Sequence, residues 1–142
     1  MVCPSNHDSH SGFALAIALE KFFENSGITF DVTPNNRKYY QYGVNMFGFH
    51  HGDGARKTML PMLMATEEPN MWSNSKYRYF YVHHVHHYTK EDMQGVTIET
   101  LRSPSEADKW HDDNGYTSGK MAVEGFLHEY NTGELNKISK LF

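Results

Sequence analysis

Tyr77-Arg78-Tyr79-Phe80-Tyr81-Val82-His83-His84-Val85-His86-His87 is the stretch on which the fold turns. Its first six residues are aromatic or β-branched almost throughout, which suits a pleated and largely buried strand. The run then stops in four imidazoles. Two other places repeat the pattern of an apolar run ending in histidine. Residues 44–49 lead into His50-His51-Gly52-Asp53, and Met1-Val2-Cys3-Pro4 leads into Ser5-Asn6-His7-Asp8. Seven of the ten histidines lie in these three motifs. Neutral imidazole is the commonest metal-binding side chain and titrates near physiological pH. In open α/β sheets, ligands gather at the carboxyl ends of strands. Three such ends carrying histidine therefore point to one metal site with acid–base capability.

Working outward, residues 9–25 read as a helix capped by Ser9 or Ser11, with Phe13, Ala14, Ile17, Ala18, Lys21 and Phe22 at helical spacing and Gly27 closing it. Residues 28–32 read as a strand stopped by Pro34-Asn35-Asn36, and 38–42 with 44–49 as a hairpin about Gly43. Residues 58–66 form a Met- and Leu-rich helix with Pro61 in its first turn, a core stripe rather than a cofactor box. Residues 88–93 and 96–102 pair around Gln94-Gly95, and 104–112 read as a short helix capped by Ser103. The tail, 119–142, reads as a hairpin turning at Asn131-Thr132-Gly133, although Leu135, Ile138 and Leu141 also fit helical spacing. Strands alternate with helices early and pair antiparallel later, so the expected class is mixed α/β in layers.

At 142 residues the chain is one domain, 1–142, long enough to bury a core. A net charge of −4 argues against binding nucleic acid by bulk basicity. The single Cys3 excludes an internal disulfide framework, and no stretch approaches a membrane span, so a cytoplasmic protein is expected. Met1 to Pro4 reads as the end of a buried strand whose neighbours would come earlier, so the chain is expected to be N-terminally truncated.

The motifs divide the chemistry. On a regular strand, His84 and His86 share one face and can serve one cavity or two adjacent metals. The Asn6 carbonyl can bind a cation without adding charge. His7 is then free to donate a proton, with Asp8 fixing its tautomer. Gly52 and Gly54 let backbone approach a ligand, with His50 or His51 as the liganding side chain. Arg56 and Lys57 follow that loop and can meet a phosphate. Trp72 and Trp110 read as packing residues, and His10, His111 and His128 as ordinary histidines.

The order Asn6-His7-Asp8, His51-Gly52-Asp53, His84-Val85-His86 resembles the second half of the calcineurin-like metallophosphoesterase superfamily. That family's motifs run Asp-x-His, Gly-Asp-x-x-Asp, Gly-Asn-His-Asp, a histidine often followed by Gly, and Gly-His-x-His. The likeness covers residues 2–102. The run Ser103-Pro104, Asp108-Lys109-Trp110-His111 and Asn114-Gly115-Tyr116 also resembles phage-borne members. Ser5 and His83 stand where the family has Gly. The resemblance implies the C-terminal half of an α/β/β/α layered sandwich, with Asn6, His51 and His84 as ligands of one metal and His86 as a ligand of the other. It implies His7 as the proton donor to the leaving alkoxide, with Asp8 in support. The implied reaction is hydrolysis of a phosphate mono- or diester, of nuclease or nucleotide type, by hydroxide attack at two metals.

The Asp-x-His and Gly-Asp-x-x-Asp motifs do not occur before Asn6, so at most one weakly bound divalent ion (Mn, Zn, Fe, Ni or Mg) is expected on this chain. The expected activity of the chain alone is weak or nil. A non-catalytic metal- or partner-binding remnant and one half of a split enzyme are the competing readings. An exposed sheet edge left by absent strands predicts a homodimer.

Overall fold

The apolar runs at 44–49 and 77–82 become two parallel strands at the heart of a five-stranded sheet. The structure, a computed structural model, describes residues 1–105, 120–133 and 135–142. In chain order its elements are α1 (Ser9–Phe22), β1 (Arg37–Tyr42), β2 (Asn45–His50), a 3-10 turn (Lys57–Met59), α2 (Leu60–Glu67), α3 (Pro69–Asn74), β3 (Tyr77–Val82), β4 (Thr89–Met93), β5 (Val96–Thr100), β6 (Ala122–His128) and β7 (Leu135–Leu141). The large sheet runs β1-β2-β3-β5-β4, and β6-β7 form a separate ribbon. Strands β2, β3 and β5 are parallel, while β1 and β4 are antiparallel to their neighbours. The class is mixed α/β, as expected from the pattern.

Alternation along β2 and β3 sorts the core into two layers. Met46, Phe80 and Val82 point to one face and meet Leu60 and Met64 of α2, with Val96 and Ile98 of β5. Phe47, Tyr79 and Tyr81 point to the other and meet Phe126 and Leu135 of the ribbon. The order is thus helix, sheet, ribbon. The Met-rich helix is core, as its composition predicted, and Trp72 packs on the same cluster with the Arg78 guanidinium 4.1 Å over its ring.

Three local expectations are corrected. Residues 28–32 are not a strand. Val2 N reaches Asp31 O at 3.5 Å, but no ladder forms, and the Asp31 carboxylate turns back onto Thr33 N at 3.0 Å. Helix α1 starts at Asp8 rather than at a serine cap, and Ser11 Oγ donates to Asp8 O at 3.2 Å. Pro69 opens a further short helix, α3, that periodicity missed. The turns held: Gly43 (φ 56°), Gln94 (φ 49°) with Gly95 (φ 79°), and Gly133 (φ 71°) all take the left-handed backbone their hairpins need. The expected helix at 104–112 lies largely outside the described residues. Among the described residues, no helix is long and apolar enough to cross a membrane.

Lys38 of β1 is buried, with its side chain 1% exposed, and its ammonium lies 2.7 Å from Asp31 Oδ1. Burial raises the Asp31 pKa, but hydrogen bonds from Lys38 and Thr33 outweigh it and hold the carboxyl below its ordinary value. A depressed carboxyl pKa stabilises the fold above the unfolded value of about 4, and the contribution disappears as pH falls through the folded value. Asp31→Ala is expected to cost about 2 kcal/mol at pH 7, the scale of a hydrogen bond to a charged group. Urea unfolding at pH 7 and pH 3 checks this: the gap between wild type and variant should narrow at pH 3, and a gap unchanged by pH would contradict it.

Candidate metal centre

The parallel register His50↔Val82 places the carboxyl ends of β2 and β3 side by side. The His83 amide donates to His51 O at 3.0 Å, so the two histidine motifs are stitched together by backbone. Gly52 is required there. It sits at φ 119°, and a Cβ would lie 3.0 Å from His83 O and from His84 Cβ. The turn before α1 supplies the third motif.

Asn6 Oδ1 lies 3.0 Å from His51 Nε2, across 45 residues of sequence. The His51 and His84 rings are 5.1 Å apart at 63°. Asn6, His51 and His84 are therefore brought together. With bonds of 2.0–2.1 Å, two ligand atoms on a tetrahedral ion stand roughly 3.3 Å apart. The Asn6–His51 separation fits two donors aimed at one ion. In the structure itself the pair forms a hydrogen bond, with Nε2–H donating to the amide oxygen.

Burial lowers the His51 pKa, opposed by Asp53, with His84 and His7 lowering it further and Asp8 raising it. His7 and Asp8 thus stand close enough to act on His51 electrostatically. Asp8, however, does not hold His7. Among the described residues no hydrogen bond joins them; the Asp8 carboxylate lies beside Gly12 in the first turn of α1, and the His7 amide donates to Ser5 Oγ at 3.3 Å. His51 rather than His50 meets Asn6. His50 points to the opposite face of β2 and is 1% exposed, and its Nδ1 has no hydrogen-bond partner among the described residues. Its pKa is lowered by burial first and by Arg37 second.

The His-x-His segment departs from the expected strand. Strand β3 ends at Val82, and His84 (φ 68°) and His86 (φ 54°) both take left-handed backbone. These two turns, rather than strand alternation, aim His84 at His51. His86 acts electrostatically on His83, whose pKa is lowered by burial, then by His51 and His86. Among the described residues, no group of three or more His, Cys, Asp or Glu stands close enough to hold a metal ion. Among the described residues, the converging set is two imidazoles and an amide, without a carboxylate.

Of the two cations after the loop, Lys57 is engaged, with Nζ 2.7 Å from Thr89 Oγ1 and 2.9 Å from Glu91 Oε1. Arg56 is exposed. An open groove of about 640 Å³, walled by Val2, Cys3, Tyr40 and Phe49, ends on His51 and His83. His128 is a packed histidine: Tyr81 Oη lies 2.8 Å from its Nε2, inside the aromatic layer beneath the ribbon. Sequence reading missed an ionic cluster beneath the histidine loop, formed by Tyr88, Glu99, Arg102, Glu124 and Lys137. Its one signal was Glu99 in a strand otherwise spaced for burial.

No family model matches the chain, and no curated protein does. Among solved structures it is similar to a crystal structure of a single mutant of Vps29 from Entamoeba histolytica, at 13% identity and a TM-score of 0.44. The match covers 82% of this chain and 66% of that one, so the chain spans just under two thirds of its length.

Proposed function

We propose that this chain carries one half of a metal-dependent phosphoesterase site, with Asn6, His51 and His84 holding one divalent cation and His86 facing a second. The observation that carries the reading is the 3.0 Å approach of Asn6 Oδ1 to His51 Nε2, with the His84 ring 5.1 Å from that of His51. Three motifs distant in sequence meet where parallel strands end, in the order the superfamily shows. In a completed site, Asn6, His51 and His84 would hold one ion and His86 would face the other, and such a pair of ions would supply charge stabilisation for a phosphoryl group and a more acidic water. His7 protonates the leaving oxygen, and Arg56 meets the phosphate of a nucleotide or other phosphate ester. Among the described residues no carboxylate joins this donor set, and a completed site would need carboxylates to balance the charge.

The test is hydrolysis of bis-p-nitrophenyl phosphate with Mn²⁺. Residues 1–142 alone are expected to give little or no turnover. Addition of a polypeptide bearing Asp-x-His and Gly-Asp-x-x-Asp is expected to restore it, and His7→Ala or His84→Ala to lower the restored rate about 100-fold or more. Restored activity indifferent to His84→Ala would overturn the assignment. The all-neutral donor set favours a second reading, metal or partner binding without catalysis. That reading predicts metal uptake with no hydrolysis under any complementation.

A further inference from the structure

The loop 83–88 holds two non-glycine residues in left-handed backbone, a conformation that survives only where the surroundings impose it. One end is fixed by the His83 amide on His51 O, and Val85 N closes a tight turn onto His83 O at 2.9 Å. The other end is Tyr88. Its hydroxyl donates to Glu99 Oε1 at 2.9 Å. Two cations lie against its ring, with Lys137 Nζ 3.7 Å and Arg102 Cζ 4.8 Å from the centroid. Both cations also bind Glu124 Oε1, at 3.1 and 2.7 Å. Glu99 and Glu124 are buried, each side chain 2% exposed, and among the described residues each keeps one oxygen without a hydrogen-bond partner. A carboxylate as dry as Glu99 exchanges partners with water poorly, so it holds the Tyr88 hydroxyl in one place, while Glu124 holds the two cations against the ring.

We propose that Glu99 and Tyr88 are positioning residues: the buried carboxylate anchors the phenol, and the anchored phenol selects the left-handed turns that set His84 against His51. Glu124, Arg102 and Lys137 extend the anchor to the β6-β7 ribbon, so the ribbon holds the histidine loop although it supplies none of the converging donors. The purpose of the anchor rests on the metal reading above; the anchor itself does not.

Two measurements separate these. Amide hydrogen exchange at His83 and Val85 is compared in wild type, Tyr88→Phe, Glu99→Gln and Glu99→Leu. Tyr88→Phe and Glu99→Leu are expected to speed exchange at those two amides tenfold or more, with Phe80 and Tyr81 in β3 within twofold of wild type. Glu99→Gln keeps an acceptor for Tyr88 and is expected to retain the protection. Loop exchange within twofold of wild type in Tyr88→Phe, or equal acceleration in β3, overturns the anchor. Zn²⁺ titration of the same proteins is expected to show about tenfold weaker binding in Tyr88→Phe. A wild type that takes no Zn²⁺ defeats the metal reading and leaves the exchange result to decide the anchor.

Discussion

Phe80→Ala is expected to remove about 4 kcal/mol of stability, the range for emptying a fully buried phenylalanine site. Phe80 is 0% exposed at the centre of the α2-side core, with Met46, Leu60, Met64, Val82, Val96 and Ile98 around it. Its ring covers Gly48, its Cα partner on the parallel strand β2, and meets Tyr39 edge-on at 6.0 Å. A Cβ at position 48 would stand 2.6–2.9 Å from three atoms of that ring. Gly48 is therefore glycine to make room for Phe80. Gly48→Ala is expected to cost about 1–3 kcal/mol by overpacking. Because the two residues share one space, the double variant should lose clearly less than the sum of the singles. Urea unfolding followed by fluorescence reads all three. With a slope of about 2 kcal/mol/M, the Phe80→Ala midpoint should fall by about 2 M. A fall under about 0.5 M, or strict additivity with Gly48→Ala, would show that the ring is not packed as described.

What the sequence exposed, and what it hid, follows from which interactions are local. Strand β3 was read at its true bounds because aromatic residues and a terminal histidine tract mark both ends. The turns at Gln94-Gly95 and Gly133 were legible because left-handed backbone writes itself into glycine and amide residues. The same conformation at His84 and His86 was not. Histidine signals left-handed backbone far more weakly than glycine, and the contacts that fix this loop come from the end of β2, from β5 and from the ribbon. Residues 28–32 have strand composition, yet strand identity needs a ladder partner, and Asp31 prefers Lys38 and Thr33. Strand direction made the meeting of the His51 and His84 motifs legible, but Met1 to Pro4, read as the end of a buried strand, forms none, and Asn6 arrives from the turn before α1. Sequence left His50 and His51 equivalent, and the pleat of β2 separated them by burying one.

Wild-type chain is expected to bind at most one Zn²⁺ or Mn²⁺, weakly, and His51→Ala or His84→Ala is expected to weaken that binding about 100-fold or more, beyond the 10–100-fold typical of losing an outer partner. Asn6, His51 and His84 provide three donors and no charge, so no ligand offsets the ion's charge, and Asp53 and Asp8 act on it only at a distance through the His51 site. Imidazole favours zinc, copper and nickel over magnesium, which wants oxygen and carboxylate. A magnesium preference would therefore argue for ligands other than these. Binding also carries a tautomer cost. His51 Nε2 donates to Asn6 Oδ1 in the free protein, and the ring proton must move to Nδ1 before both atoms can face one ion. Asn6→Ala frees the imidazole from this bond while removing a ligand, so its loss should be smaller than that of His51→Ala. Calorimetric titration together with metal analysis after dialysis measures all of this. Two tightly held ions per chain, or unchanged affinity in His51→Ala, would place the metal elsewhere. A single ion lost in both histidine variants and partly kept in Asn6→Ala is the outcome that the neutral donor set requires.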